Sequence, residues 1–259
     1  MVFYFSGTGN SQYVATRLVE ATGESLMSIE KCMENGELAF RLQPGERLGF
    51  VTPVYFWGLP VIVVSFVNNL RVEAPHHPFT YHVLTYGTTT GQAHHQMAAL
   101  LKRRGLHLDA RYNVRMVDTW TPLFNLSNRE RCLETTRRAE PRVDKAVERA
   151  SGRVAGNFDR AAFLAFLARV YYHTYNRQRR TRHFHLVADR CIGCGLCARC
   201  CPAHAITMSN KRPQWMAPQC ILCLRCLHQC PVFAIQYGSH TEGHGQFVNP
   251  HIKPGTLGS

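Results

Sequence analysis

The chain has 259 residues, 45% of them hydrophobic, which suits one sizeable globular domain and a smaller second one. Its longest apolar runs, at 59–64 and 161–168, are far shorter than the roughly 20 residues of a bilayer span, and no basic leader opens the chain, so a cytoplasmic location is expected. The formal charge is +13, and its excess lies in residues 91–182, where 19 basic side chains face 8 acidic ones.

MVFYF, at the start, is a short run rich in strand formers, followed by SGTGNS at 6–11. In NSQYVATRLVEA, at 10–21, Val14, Leu18 and Ala21 recur at helical spacing with Arg17 and Glu20 among the polar positions, so strand, turn and helix are expected in that order. Such a turn aims free backbone amides and the positive end of a helix dipole at the space above it, which suits a phosphate. A nucleoside triphosphatase loop would need a lysine followed by Ser or Thr, and nothing between Ser6 and Tyr13 is basic. A dinucleotide turn would need a third glycine where Gln12 stands. What remains is a neutral turn containing Gly7 and Gly9, in which Ser6, Thr8, Asn10 and Ser11 offer side-chain donors beside the amides. It resembles the FMN phosphate loop of flavodoxins.

Two further runs, LGFVT at 48–52 and YHVLT at 81–85, lead into PVYFWGLP and YGTTTGQ, loops expected at the same carboxyl edge of a sheet. The resemblance implies that FMN is held there by Pro53, Tyr55, Phe56, Trp57 and Gly58, and by Tyr86, Gly87, Thr88 and Gly91. Tyr55, Phe56 and Trp57 are the candidates to stack on the ring, although any one of them could instead pack its loop onto the following helix. Gly58 would permit the peptide flip with which flavodoxins stabilise half-reduced flavin. A helix at 91–104, a strand at 109–117 and an exposed charged helix at 128–150 complete an α/β flavodoxin-like doubly wound parallel sheet of order 2-1-3-4-5 over residues 1–150. His76, His77, His94 and His95 read as surface or loop residues rather than ligands.

Residues 151–182 contain AAFLAFLARVYYHTYNRQRRTR, an apolar helical run that turns strongly basic. It could serve as a nucleic-acid arm, as a membrane-surface helix, or as a helix docking two domains with a solvated basic end. Docking is the preferred reading, and no nucleic acid is expected as a partner.

Nine of the eleven cysteines fall between Cys191 and Cys230. CIGCGLCARCCPAHAI at 191–206 and CILCLRCLHQCPVFAI at 220–235 superimpose without a gap, so the segment is an internal duplication of CxxCxxCxxxCP. A zinc ribbon would use four ligands per site and would predict neither the third cysteine nor the proline of each copy. The spacing is that of bacterial two-cluster ferredoxins, and about 55 residues resemble that family. The resemblance implies an α+β domain at 183–240 with crossed ligation: Cys191, Cys194, Cys197 and Cys230 bind one 4Fe-4S cluster, and Cys220, Cys223, Cys226 and Cys201 bind the other. Cys201 is preferred to Cys200 because Pro202 follows it, while Cys200 is expected to point away and Cys32 and Cys132 to be ordinary thiols. Residues 241–259 read as a flexible tail.

SGTGNS, PVYFWGLP and YGTTTG ahead of paired CxxCxxCxxxCP motifs resemble the EFR-type ferredoxins, in which a flavodoxin-like domain precedes a two-cluster ferredoxin. Departures are Leu222 and Leu224, which stand where the first copy has Gly193 and Gly195, and the extra Cys200. The resemblance implies an electron carrier that relays low-potential electrons between two 4Fe-4S clusters and FMN. Redox partner proteins with acidic docking surfaces would suit the basic chain. The alternative is an FMN-dependent reductase acting directly on a small acceptor such as a quinone.

Overall fold

The computed structural model describes residues 1–160, 165–253 and 257. The apolar start forms β1 (Val2–Tyr4), and the periodic stretch behind the turn forms α1 (Asn10–Thr22). Then follow β2 (Leu26–Ser28), α2 (Ile29–Asn35), β3 (Ala39–Arg41), β4 (Leu48–Pro53), α3 (Val61–Asn69), β5 (Arg71–Glu73) and β6 (Thr80–Tyr86). α4 (Ala93–Arg103), β7 (Ala110–Arg115), α5 (Arg129–Ser151) and β8 (Gly156–Asn157) complete the first half.

The main sheet runs β2-β1-β4-β6-β7-β8 with every neighbouring pair parallel. Setting aside the two-residue edge strand β8, this is the expected flavodoxin-like order, because β3 and β5 pair only with each other. β4 and β6 are buried on both faces, which is why LGFVT and YHVLT read as continuous runs rather than alternating ones. Phe3, Phe50 and Phe66 anchor the core on one face, and Val14, Leu18, Tyr81, Tyr112 and Val143 anchor it on the other. The chain reverses its winding between β1 and β4, and the loops leaving those strands open the crevice in which such sheets bind ligands.

α6 (Ala165–Gln178) carries the described part of the apolar-to-basic run; residues 161–164 lie outside the described residues. Tyr172 Oη donates to the Leu59 carbonyl of the first half at 2.6 Å, and Tyr175 Oη donates to the Ile221 carbonyl of the cysteine region at 2.5 Å. One helical turn therefore touches both halves, while Arg177 and Arg180 beyond it are exposed.

The cysteine region contains β9 (Phe184–Leu186), α7 (Leu196–Arg199), β10 (Ile206–Ser209), β11 (Arg212–Trp215), α8 (Arg225–His228) and β12 (Ile235–Tyr237). β9 pairs antiparallel with β12, and β10 with β11. Phe184, Leu224, Leu227, Ile235 and Tyr237 form its core together with Tyr175 of α6. No helix among the described residues is long and apolar enough to cross a membrane.

Two expectations are corrected. The tail does not run free: after α9 (Thr241–His244), Phe247 is buried, Ile252 packs on the sheet core, and Asn249 is fully enclosed. The Asn249 N–H donates to the Thr8 carbonyl at 2.8 Å, and its Nδ2 donates to Asn10 Oδ1 at 2.9 Å. His251 stacks on Tyr13, with ring centroids 4.3 Å apart. Phe247, Ile252 and the buried Leu257 anchor it; residues 254–256, 258 and 259 lie outside the described residues.

His94 is the second correction, since the core face of α4 carries it inward with Ala93, Met97 and Leu101. It is 3% exposed, and its Nδ1 lies 3.0 Å from His82 Nδ1, while His82 Nε2 lies 2.9 Å from Thr52 Oγ1. Burial holds both imidazoles below the ordinary histidine value, His94 down to about 3. His76, His77 and His95 are exposed, as expected.

Candidate functional site

A cavity of about 310 Å³ opens at the carboxyl edge of β1, β4, β6 and β7. Ser6, Gly7, Thr8, Asn10 and Ser11 line it from the first loop, Pro53, Tyr55, Phe56 and Trp57 from the second, and Tyr86, Gly87 and Thr88 from the third. Three of the expected residues, Gly9, Gly58 and Gly91, lie outside the lining.

In the first loop the side chains act mainly as braces. Ser6 Oγ accepts the Gly9 N–H at 3.0 Å, Ser11 Oγ and Thr85 Oγ1 lie 2.7 Å apart, and Asn10 Nδ2 donates to the Val117 carbonyl at 3.3 Å. Asn10 is thus held at both ends, with Nδ2 donating to Val117 and Oδ1 accepting from Asn249, so it is less free to donate to a phosphate than the sequence suggests. Among the described residues, no protein acceptor takes the N–H groups of Gly7, Thr8, Asn10 or Ser11. Those amides, at the start of a 13-residue helix, remain for an anion. Gly9 reaches its left-handed φ of 96° with Asn249 and Ile252 pressed against it.

The second loop is a two-residue turn closed by reciprocal hydrogen bonds between Tyr55 and Gly58, at 2.8 and 2.9 Å. Phe56 (φ 49°) and Trp57 (φ 61°) occupy left-handed positions that favour Asn and Gly, at a cost on the order of 1 kcal/mol or more each. Ring contacts hold them there: Phe56 stacks 5.1 Å from Tyr175 and 5.6 Å from Tyr171, and Trp57 lies tilted 4.7 Å from Tyr171. Gly58 has ordinary φ, and a Cβ on it would meet the Tyr172 ring at 2.4 Å. Both the N–H and the carbonyl of Gly58 are engaged by Tyr55, and the close Tyr172 ring leaves room there only for a glycine.

The loop after β7 escaped the sequence reading. Asp118, Thr119, Trp120, Leu123 and Phe124 line the cavity, and Tyr171 closes it from α6. The carboxyl-edge rule applied to the strand at 109–117 would have found VDTWTPLF. Burial pushes the Asp118 carboxyl above the ordinary carboxylate value, and this group accepts the Trp120 N–H at 3.1 Å.

The eight expected cysteines gather around two smaller cavities. Cys201, Cys220, Cys223 and Cys226 line one, here the inner set, and Cys191, Cys194, Cys197 and Cys230 line the other, the outer set. Each set combines three thiols of one repeat with one from the other. Cys200 lines neither cavity; it is buried, with Sγ 3.8 Å from the Cys197 carbonyl. Backbone N–H groups point at the sulfurs of Cys201 (from Ala205, 3.4 Å), Cys220 (from Leu222, 3.2 Å) and Cys230 (from Ala234, 3.2 Å). Burial pushes the Cys197 and Cys220 thiols up to about 11, so ionising them calls for the positive charge of bound metal.

The repeat symmetry extends to the backbone. Gly193 and Gly195 have φ of 71° and 72°, and Leu222 and Leu224 take 59° and 54° at the equivalent positions. The leucines accept that strain while burying to 3% exposure against the first cavity. Cys223 and Leu224 line both the first cavity and the inner cysteine cavity. A Cβ on Gly7 would lie 2.8 Å from the Cys223 carbonyl, so only a bare backbone lets the first loop approach this wall.

Comparison with known proteins is consistent with this geometry. The flavodoxin domain family matches residues 1–144, and the 4Fe-4S dicluster domain family matches residues 184–231. A search of curated proteins finds no match. Similar solved structures include the Trp repressor binding protein from Bacillus subtilis, 12% identical over 59% of this chain and 95% of that one, with a TM-score of 0.36. Another is the rubredoxin oxygen:oxidoreductase from the anaerobe Desulfovibrio gigas, 16% identical with a TM-score of 0.33; the match covers 60% of this chain and 36% of that one.

Proposed function

The chain belongs to the flavodoxin domain family and carries a 4Fe-4S dicluster domain behind it; from that premise we propose a relay of low-potential electrons between two 4Fe-4S clusters and FMN, and onward to a redox partner. As an iron-sulfur flavoprotein it has an electron-transfer role. Bound flavin supplies the exchange between one-electron and two-electron chemistry.

The residues fit these groups. The amides of residues 7, 8, 10 and 11 would take the FMN phosphate, and Tyr55, Phe56 and Trp57 would face the ring. Each four-thiol set would hold one cluster, with amides aimed at three of the eight sulfurs. The observation that carries the reading is the shared wall: Cys223 and Leu224 border both the inner cysteine cavity and the larger one. The inner set is therefore the neighbour of the flavin, and the outer set, with Cys194 exposed, is the port to a donor. The basic excess of residues 91–182 suits a partner with an acidic docking surface.

Anaerobically purified protein is expected to contain about eight irons, eight acid-labile sulfides and one FMN per chain. A redox titration followed by electron paramagnetic resonance and visible absorption should resolve two clusters and a flavin. Four irons or fewer in fully loaded protein would reject the reading.

Gly7→Ala tests the loop separately. Its Cβ would stand 2.6 Å from Tyr55 Oη and 2.8 Å from the Cys223 carbonyl, forcing loop and wall apart. Overpacking of this kind costs about 1–3 kcal/mol, so FMN binding is expected to weaken about tenfold or more in a fluorescence-quenching titration.

A further inference from the structure

No fully buried side chain among the described residues is larger than Arg225, which is 1% exposed and stands where the two halves of the chain meet. Its Nη1 donates to Glu30 Oε1 at 2.8 Å and to the Cys200 carbonyl at 2.9 Å. Nη2 donates to Glu30 Oε2 at 2.6 Å and to the Ser6 carbonyl at 2.8 Å. Nε is buried and has no acceptor among the described residues. The guanidinium thus touches the phosphate-type loop, helix α2 and the residue preceding a thiol of the inner set, and its own chain neighbour is Cys226.

A buried ion pair is weak evidence for stability, because an apolar pair of similar volume often does as well. A comparison of the two cysteine sets points to a different use. At the outer set, Arg199 donates to the Cys194 carbonyl (2.9 Å) and Arg212 to the Cys191 carbonyl (3.0 Å), and both arginines are exposed, where solvent and salt screen them. At the inner set Arg179 donates likewise to the Cys220 carbonyl (2.9 Å) and is half-buried, and Arg225, on the carbonyl of Cys200 next to Cys201, is sealed from water. Reduction adds negative charge, and burial alone makes that harder at the inner set, where Cys226 is buried, than at the outer set, where Cys194 is exposed. The guanidinium sits on the Cys200 carbonyl beside Cys201, and its residue lies between Cys223 and Cys226, while Glu30 approaches from α2 on the flavodoxin side, so the pair presents its positive end toward the inner set.

Resting on the cluster reading above, we infer that Arg225, oriented by Glu30, is a positioning residue that raises the reduction potential of the inner cluster site relative to the outer one. The step it favours is a one-electron reduction, supplied in the test by dithionite, in which no bond is made or broken. It keeps a deeply buried site open to electrons arriving from outside.

Fully loaded protein, Glu30→Gln, Arg225→Met and Arg225→Lys would be titrated anaerobically with the two cluster signals followed separately by electron paramagnetic resonance. Glu30→Gln uncovers the cation and should shift the inner signal to higher potential, whereas Arg225→Met should shift it lower. At fixed poise the reduced-to-oxidised ratio of that signal should change by about tenfold in opposite senses, with the outer signal unmoved. Arg225→Lys should stay closer to the parent than Arg225→Met. Shifts of both variants in the same sense, or equal shifts at both signals, would overturn the inference in favour of altered packing. Should Arg225→Met fail to load iron, an inner signal that does not rise in Glu30→Gln would overturn it alone. Absence of one cluster from the parent protein would instead remove the underlying reading.

Discussion

Cys201→Ser is expected to lose one of the two cluster signals and about half of the iron, whereas Cys200→Ser should keep both. The doubled cysteine puts two thiols side by side, but the gap-free repeat aligns Cys201 with Cys230 and Cys200 with Gln229. Cys201 lines the inner cavity and accepts the Ala205 N–H at 3.4 Å. Cys200 lines neither cavity and has its carbonyl, rather than its sulfur, engaged by Arg225. Proline follows Cys201 just as it follows Cys230 in the second repeat, and Cys230 also accepts an N–H four residues on. The checks are iron and sulfide per chain and the paramagnetic resonance of the dithionite-reduced protein. Iron loss confined to Cys200→Ser would reverse the assignment.

The second large effect is acid sensitivity seated in the flavodoxin half. Unfolded, His82 and His94 take up protons near the ordinary histidine value of about 6.5. Folded, burial holds His94 down to about 3 and His82 well below its ordinary value. Below pH 6.5 the unfolded chain therefore binds more protons than the fold, and stability falls as pH drops. Each imidazole contributes up to about 1.4 kcal/mol per pH unit, so at pH 5 the pair removes about 3–4 kcal/mol, a large part of the stability of a typical domain. Urea denaturation of the full chain at pH 7.5 and pH 5.0 measures this loss. His94→Leu should lower stability at neutral pH yet roughly halve the pH-dependent part. Acid damage to the cysteine region is common to both proteins, so an unchanged pH dependence in the variant would exclude the buried pair as its source.

How much of this was legible in the sequence depends on the range of the interactions. α1, β4 and β6 announce themselves through local periodicity and apolar runs, and the eight cavity-lining cysteines through the spacing of the repeat, while their crossed grouping follows the family resemblance. α2 went unread: it has only seven residues, with Ile29 and Cys32 buried in the core, and it presents Glu30 to a residue far along the chain. The Arg225–Glu30 pair spans 195 residues and leaves no local trace, so Arg225 looked like one more basic side chain. Gly58 carries a second constraint that no local pattern announces, the Tyr172 ring, which arrives from a helix more than a hundred residues later. Asn10 fitted a phosphate-binding pattern, but Val117 engages its amide nitrogen and the tail its amide oxygen.

The strap formed by Asn249 also bears on the order in which the protein can be completed. Thr8 and Asn10 are joined to a residue that lies 239 positions after Asn10. At about 5–20 residues per second, the ribosome makes the turn roughly ten to fifty seconds before its strap. Even when the last strand of the flavodoxin half, β8, has been made, about 90 residues remain before the strap, and the turn stays unfastened until then. Cofactor capture during synthesis would therefore be reversible, and retention would begin when the strap emerges and seats.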